Sequence, residues 1–365
     1  MIKKFSLLFV LFCCYNVFSQ NKPEILLDSV NKYIAISDTI PFPEKKIKYL
    51  NKALSFAKKL KVDSLLIDVS SAIAFQNISL DNKKGFKDAN DSLLKIYQNK
   101  KDSTALGFYY YNKGWYFKNN ASIDSAYYYY NKSKIIAKAT KNLKLKDAYT
   151  DLLVINLGAH DYLGTEELAI EIIDSDYLKK EYEILSVTYS FLGVVSIRLG
   201  NYENALKYNQ KGLETIKKIK DYKIRIDKEL ENINDISLMY AKQEKFEKAL
   251  YYVNKVLETD PNLKKNNLEM FAMITLNKGF CEFNLGETNK ALKSYKKALK
   301  IGQKLNAHYI QTYALLKIAT LYKKENNLTK AKKYIDKALV LARKINFRKL
   351  EALKLSAEIY SGEKS

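Results

Sequence analysis

The chain has 365 residues, 47% hydrophobic and 28% charged, which is room for two ordinary domains or one long repeat array. Twelve Gly and four Pro are too few for a β-rich fold with many tight turns, and two His and three Cys leave little material for metal or nucleophile chemistry. Sixty-two basic against 40 acidic residues give a formal charge of +22, yet only Arg198, Arg225, Arg343 and Arg348 are arginines. Arg is the residue that reads phosphates and guanines through a planar fork, so no nucleic-acid partner is expected; an anionic surface stays open on net charge alone.

Residues 1–19 read as a secretory signal peptide. Lys3 and Lys4 precede an apolar run from Phe5 to Cys14, and Val17-Phe18-Ser19 supplies the residues a signal peptidase reads. Phe12 stands before Cys13 where lipid attachment needs a small residue, which argues against an anchor. The expectation is an exported chain, periplasmic or secreted, that keeps Cys281 alone, a small buried hydrophobe on a helix. The longest uncharged stretch, Ile184 to Ile197, is too short and too rich in hydroxyls to span a membrane.

From residue 20 onward the apolar spacing of three and four predicts helix pairs over 23–60, 62–98, 102–140, 143–179, 181–220, 222–260, 264–304 and 307–345, then a last helix over 347–360. Starts carry capping chemistry at Pro43, Asp63-Ser64, Asp102-Ser103 and Ser122. A small residue, another twelve later and a small or apolar one seven after that recur: Gly114, Ala126, Ser133; Gly193, Ala205, Gly212; Ser237, Ala249, Val256; Gly279, Ala291, Ala298; Ala319, Ala331, Ala338. Small residues let antiparallel helices approach closely. Ile123, Tyr202, Phe246, Thr288 or Leu328 stands three before the central Ala, and Tyr129, Tyr130, Tyr208, Tyr252, Tyr295 or Tyr334 three or four after it; these aromatics are expected to fill the space between successive pairs.

These residues resemble the tetratricopeptide repeat family, most closely Tyr189 to Gly193 with Leu199-Gly-Asn-Tyr-Glu-Asn-Ala205-Leu206, and Leu257-Glu-Thr-Asp-Pro261. The resemblance covers nearly all of 20–365 and is strongest in 102–140 and 181–345. It implies an all-α, right-handed superhelical solenoid of about eight antiparallel helix pairs with a C-terminal capping helix. Adding degenerate units centred on Gly85 and Ala169, the central positions lie 41, 43, 36, 44, 42 and 40 apart, longer than the family's usual 34. Such extended units resemble the extracytoplasmic arrays of bacterial sensor and regulator proteins.

No HExxH, CxxC, GxSxG or P-loop pattern is present, so no enzymatic activity, metal or cofactor is expected. His160 reads as a packed or hydrogen-bonded side chain, and His308 falls at a helix start. Asp-Ser or Asp-Thr before an apolar residue recurs at Asp28, Asp38, Asp63, Asp91 and Asp124; it resembles an O-glycosylation acceptor motif of some secreting bacteria, with helix capping or chance in a chain rich in Ser and Asp the preferred reading. By the family's register, Phe108, Tyr111, Asn112 and Trp115 line a concave groove with Val194, Asn234, Leu276, Asn277, Phe280 and Phe283. Longer helices would instead rotate the rings near Trp115 into the core, and both readings stay open. The family's carboxylate clamp is missing, because Ser70, Ala74, Ser190, Val194, Asn234 and Leu238 hold its positions. The function expected is a non-enzymatic exported scaffold for a peptide or protein segment. The alternatives are the sensory region of a membrane-anchored regulator, truncated or split, and a binder of anionic surfaces.

Overall fold

The structure is a computed structural model that describes residues 22–40, 42–345 and 348–361. The signal-peptide segment lies outside them. Every regular element among the described residues is helical. In chain order they are α1 (Lys22–Thr39), α2 (Pro43–Leu60), α3 (Asp63–Ser79), α4 (Lys83–Lys100), α5 (Ser103–Asn119), α6 (Ile123–Thr140), α7 (Asp147–Gly158) and α8 (Tyr162–Ile173). There follow α9 (Tyr182–Arg198), α10 (Tyr202–Ile216), α11 (Tyr222–Lys242), α12 (Phe246–Thr259), α13 (Leu268–Asn284), α14 (Thr288–Lys304), α15 (His308–Lys324), α16 (Leu328–Ile345) and α17 (Lys349–Ser361). Single turns at Leu143–Leu145 and Leu263–Asn266 precede α7 and α13. No described helix is long and apolar enough to cross a membrane.

The chain forms two compact units that divide after Lys180. Each is a stack of helix pairs, odd-numbered helix first. Within a unit, first helices of successive pairs touch one another, as α3 touches α5 and α9 touches α11, while second helices of successive pairs barely meet. First helices therefore form the inner layer of each unit, and α17 covers α15 and α16.

One turn closes seven of the hairpins. The first helix ends in a residue with left-handed backbone, at Asp81, Ala121, His160, Gly200, Glu244, Gly286 and Asn326. The next residue donates its N–H to the carbonyl five back, for example Ser122 to Phe117 at 2.9 Å and Glu287 to Glu282 at 2.8 Å. This is the Schellman closure, and it satisfies carbonyls that a helix end leaves bare. The second helix starts at once, often on an Asx cap: Asn82, Asp161 and Asn201 each accept the N–H three residues on. Only Gly200 and Gly286 adopt positive φ without side-chain strain. Ala121→Gly is therefore expected to raise the midpoint of urea unfolding, by up to about 1 kcal/mol, because left-handed backbone costs an L residue roughly 1–2 kcal/mol. An unchanged or lower midpoint would count against strain at this turn.

This turn also corrects the register of the degenerate units. The central residue of every regular unit is the fourth of its second helix, five beyond the left-handed residue. By that rule the centres are Phe86 and Thr165, both buried, rather than Gly85 and Ala169. Centres 86, 126, 165 and 205 then lie 40, 39 and 40 apart. His160 is hydrogen-bonded, one of the two arrangements expected: it is exposed in the turn, with its ring against the Tyr162 hydroxyl at 3.1 Å. His308 is the first residue of α15.

The repeating small residues are all buried, and the gaps at Gly114, Gly193 and Gly279 are filled from within their own pairs, while Gly212 meets Asn232 of the next pair. Tyr130 lies over Gly114 and Tyr295 over Gly279, where an added Cβ would stand 2.5 and 2.8 Å from the ring. Nearer the turns, Phe117 stacks on Tyr129 at 5.3 Å, Tyr240 on Tyr252 at 5.4 Å and Tyr322 on Tyr334 at 5.6 Å. In the α13–α14 pair Ser294 donates to Glu282 at 2.7 Å in the same place. These aromatics clasp each hairpin rather than filling the space between pairs, because three and four residues past the central Ala point back at the first helix. The five Asp-Ser/Thr motifs cap nothing: Ser29, Thr39 and Ser92 sit inside helices and donate to carbonyls three or four back.

Candidate functional site

Positions along a first helix are best counted from its small residue: Ala74, Gly114, Leu153, Gly193, Ser237, Gly279 and Ala319, each seven before the left-handed turn. One residue beyond it stand Phe75, Trp115 and Val154 in the first unit and Val194, Leu238, Phe280 and Thr320 in the second. None is buried; Val154 and Leu238 are about two-fifths exposed, at 40% and 39%. The inner layer of each unit thus carries an apolar stripe. Trp115 is half-buried, its ring on Phe75 of the preceding pair at 4.9 Å with the Lys118 ammonium over it at 5.1 Å. That is neither of the two sequence readings: one ring face is packed and the rest is accessible.

Beside the stripe runs a polar ladder. The residue three before the small position bonds the residue two before it in the next pair. Ser71 donates to Asn112 at 3.1 Å, Tyr111 to Asp151 at 3.1 Å, and Asn277 to Asn234 at 2.8 Å. Asn112 also donates to Asn90 at 3.1 Å, and Lys118 donates to Asp151 at 2.7 Å. Burial, then the Asp151 charge, pushes the Tyr111 phenol far above its usual range. Neither Tyr111 nor its neighbour Tyr130 ionises at any physiological pH; Tyr111 is the donor to Asp151, while the Tyr130 hydroxyl is buried without a partner among the described residues.

Of the residues expected in the groove, Trp115, Val194, Asn234 and Phe280 are partly accessible on this layer. Phe280 meets Phe246 edge-on at 6.0 Å and lies under the Lys317 ammonium at 5.6 Å. Tyr111, Asn112 and Asn277 are held in the ladder, with both Asn side chains buried. Leu276 is corrected: it is fully buried in the core of the second unit and lines nothing. Phe108 is corrected too, since it packs on Ile67, Leu93 and Ala105. Phe283 packs against the same core as Leu276 and lies under Lys324 at 4.7 Å.

Sequence reasoning missed Phe75, Asp151, Asp235 and Lys317. The last three share a signal: each stands two before the small position in a helix that is apolar on both sides of it. Burial, then the neighbouring Glu231, pushes the Asp235 carboxyl up to about 7. Burial lowers the Lys317 ammonium, against the pull of Glu351 at 3.4 Å.

A family model for the tetratricopeptide repeat matches residues 276–303 and 312–345. Those two stretches are tetratricopeptide repeats. A TPR repeat-containing protein of Methanocaldococcus jannaschii is 29% identical over 174 residues, which is 45% of this chain and 28% of that protein. The chain therefore spans little more than a quarter of that relative's length. Among solved structures the fold is similar to NprR in complex with its cognate peptide NprX, at 14% identity and TM-score 0.55, covering 91% of this chain and 96% of that one. It is similar in the same degree to a Rap protein complexed with competence and sporulation factor, at 13% identity and TM-score 0.55, covering 93% and 96%. At these identities the likeness is one of fold.

Cys281 is the one cysteine among the described residues, and it is buried and unpaired. Burial, then the Glu282 charge, pushes its thiol up to about 12. It is therefore expected to resist Ellman's reagent in the native protein at pH 8 and to react once the chain is unfolded in guanidinium, since only the thiolate attacks. Fast labelling of the folded protein would contradict its place in the core.

Proposed function

We propose that the protein is a non-enzymatic scaffold that holds a peptide or protein segment against its first-helix layer. The observation that carries this is the accessible apolar stripe beside a polar ladder, repeated from pair to pair, an arrangement suited to side chains and main chain of one extended segment. NprR, a neighbour in fold seen in complex with its cognate peptide, lends support. The order Lys3-Lys4, apolar run, Val17-Phe18-Ser19 supports export, with the scaffold acting outside the cytoplasm.

Trp115 tests this reading, because it is the only Trp in the chain. Its emission is expected to be partly quenched by iodide in the free protein and protected when a partner recovered from envelope extract is added. Trp115→Ala is expected to cost about 1–2 kcal/mol of stability, the ring being packed on one face only. It should weaken that partner by about 2 kcal/mol or more. A partner bound equally well by Trp115→Ala, with no protection from quenching, would rule out the first unit's inner layer.

A further inference from the structure

We propose that the second unit takes a short free peptide end to end, its amino terminus at Asp235 and its carboxylate at Lys317; this rests on the scaffold reading above. The ladder rule is the starting point. Where the residue three before the small position is polar, it bonds the residue two before the small position in the next pair, as Asn234 and Asn277 do in this unit. The rule lapses twice here, and both lapses leave a charge. Ahead of Asp235 stands Ser190, with no hydrogen bond between them; Asp235 has neither hydrogen bond nor ion pair within the described residues. Ahead of Lys317 stands Leu276, which is buried and cannot accept.

A carboxylate and an ammonium thus occupy equivalent positions on α11 and α15, with Asn277 on α13 between them. The ammonium of Lys317 has one oxygen nearby, Glu351 Oε1 at 3.4 Å, a contact too long for a good hydrogen bond. Glu351 is engaged from the other side by Arg348 at 2.5 Å. Among the described residues Lys317 otherwise meets the rings of Phe280 at 5.6 Å and Tyr313 at 5.2 Å, which leaves two of its three donors for a ligand. Glu231 stands by Asp235 and Arg348 by Lys317, a like charge at each end, while Lys242, which also acts on Lys317, belongs to α11. The acidic point of the layer is thus Asp235 itself rather than α11 as a whole.

In between, the buried Asn277 donates to Asn234 and fixes it, and Asn234, which is partly accessible, keeps its amide N–H groups for a main chain. Phe280, one residue past the small position of α13, offers a ring to a side chain. The span sets the length. Neighbouring helices pack 8–10 Å apart, so two steps from α11 to α15 cover roughly 16–20 Å. Extended chain covers about 3.3 Å per residue, which makes the ligand roughly five or six residues long. The chemistry is that of a small zwitterion: cationic end on the acid, main chain on the Asn234 amide, anionic end on the ammonium. A loop of a folded partner carries no terminal charges at this spacing.

The test uses the full-length mature protein and three equimolar pools of random hexapeptides: free, N-acetylated and C-amidated. Retention is read by affinity selection with mass spectrometry. Wild type is expected to retain free peptides, and either cap should lower retention by about tenfold or more. Asp235→Asn should abolish the penalty for acetylation and keep that for amidation; Lys317→Gln should do the reverse. Each variant's surviving penalty is its own control for folding. Equal retention of free and capped peptides would overturn this assignment and leave the scaffold reading standing. If no pool is retained by the wild type, the second unit holds no such segment and both fall. Variants that lose both penalties together would also overturn it, since the two ends are assigned separate groups.

Discussion

Gly114→Ala is expected to destabilise the protein, although alanine is the better helix former by about 1 kcal/mol. The new Cβ would stand 2.5 Å from Cδ1 of Tyr130, a ring with no exposed surface. Displacing that ring is overpacking, which costs about 1–3 kcal/mol, so the net loss should be on the order of 1–2 kcal/mol. Tyr130→Ala opens a cavity over the same glycine and should cost about 3–5 kcal/mol. Together the two changes should cost less than their sum by about 1–2 kcal/mol, because alanine no longer meets a ring. Denaturant melts of the wild type, both single variants and the double variant measure this. Strict additivity would mean that ring and glycine do not oppose each other across the crossing. The same cycle applies to Gly279 and Tyr295, where the approach is 2.8 Å.

Asp235→Asn is expected to stabilise the protein at pH 8 and to leave it unchanged at pH 3. The folded carboxyl titrates near 7 against an ordinary 3.8. Between those values the unfolded chain has released its proton and the native chain still holds it, so stability falls as pH rises from about 4 to 7 and then levels off. The full shift corresponds to roughly 4 kcal/mol as an upper bound, and part of it persists in a buried amide. A gain of about 2 kcal/mol at pH 8, shrinking to nothing by pH 3, is the expected profile. A gain independent of pH would show that ionisation is not what Asp235 costs the fold. A residue retained at such cost fits a ligand-binding role, since sites commonly sacrifice stability.

Much of this architecture is legible in the sequence because close helix crossings demand small residues at fixed intervals. Gly114, Gly193 and Gly279 announce themselves, and the helix bounds follow from them. Where another residue fills the slot, the signal fades. Leu153 stands in the small position of α7, and Thr165 rather than an alanine faces it, so the apparent centre drifts to Ala169. Gly85 misleads in the same way, because it belongs to the first turn of α4, where its N–H meets the Asn82 cap at 3.0 Å. The inner layer is harder to read. A shift of one residue turns a helix by about 100°, enough to carry Leu276 from the face into the core while Asn277 stays in the ladder. Asp235 and Lys317 escape notice because a charge on a helix ordinarily means solvent; only their place relative to the small position marks them out.

The hairpin clasp has a mechanical consequence. Seven pairs are shut by a Schellman turn, some with a ring stack or hydrogen bond besides, and within a unit each pair leans only on the pairs beside it. Pulled from the C-terminal end of the second unit, such a stack yields in series rather than all at once. First α17 peels from α15 and α16; then each hairpin tears open as a discrete event. Some 40 residues at about 3.5 Å each are paid out per event, roughly 14 nm of slack chain. A hairpin clasped by stacked tyrosines, such as α15–α16, resists longer than one clasped by the single bond between Ser294 and Glu282. Tension would therefore reach the helices in an order set by side chains rather than by distance from the grip.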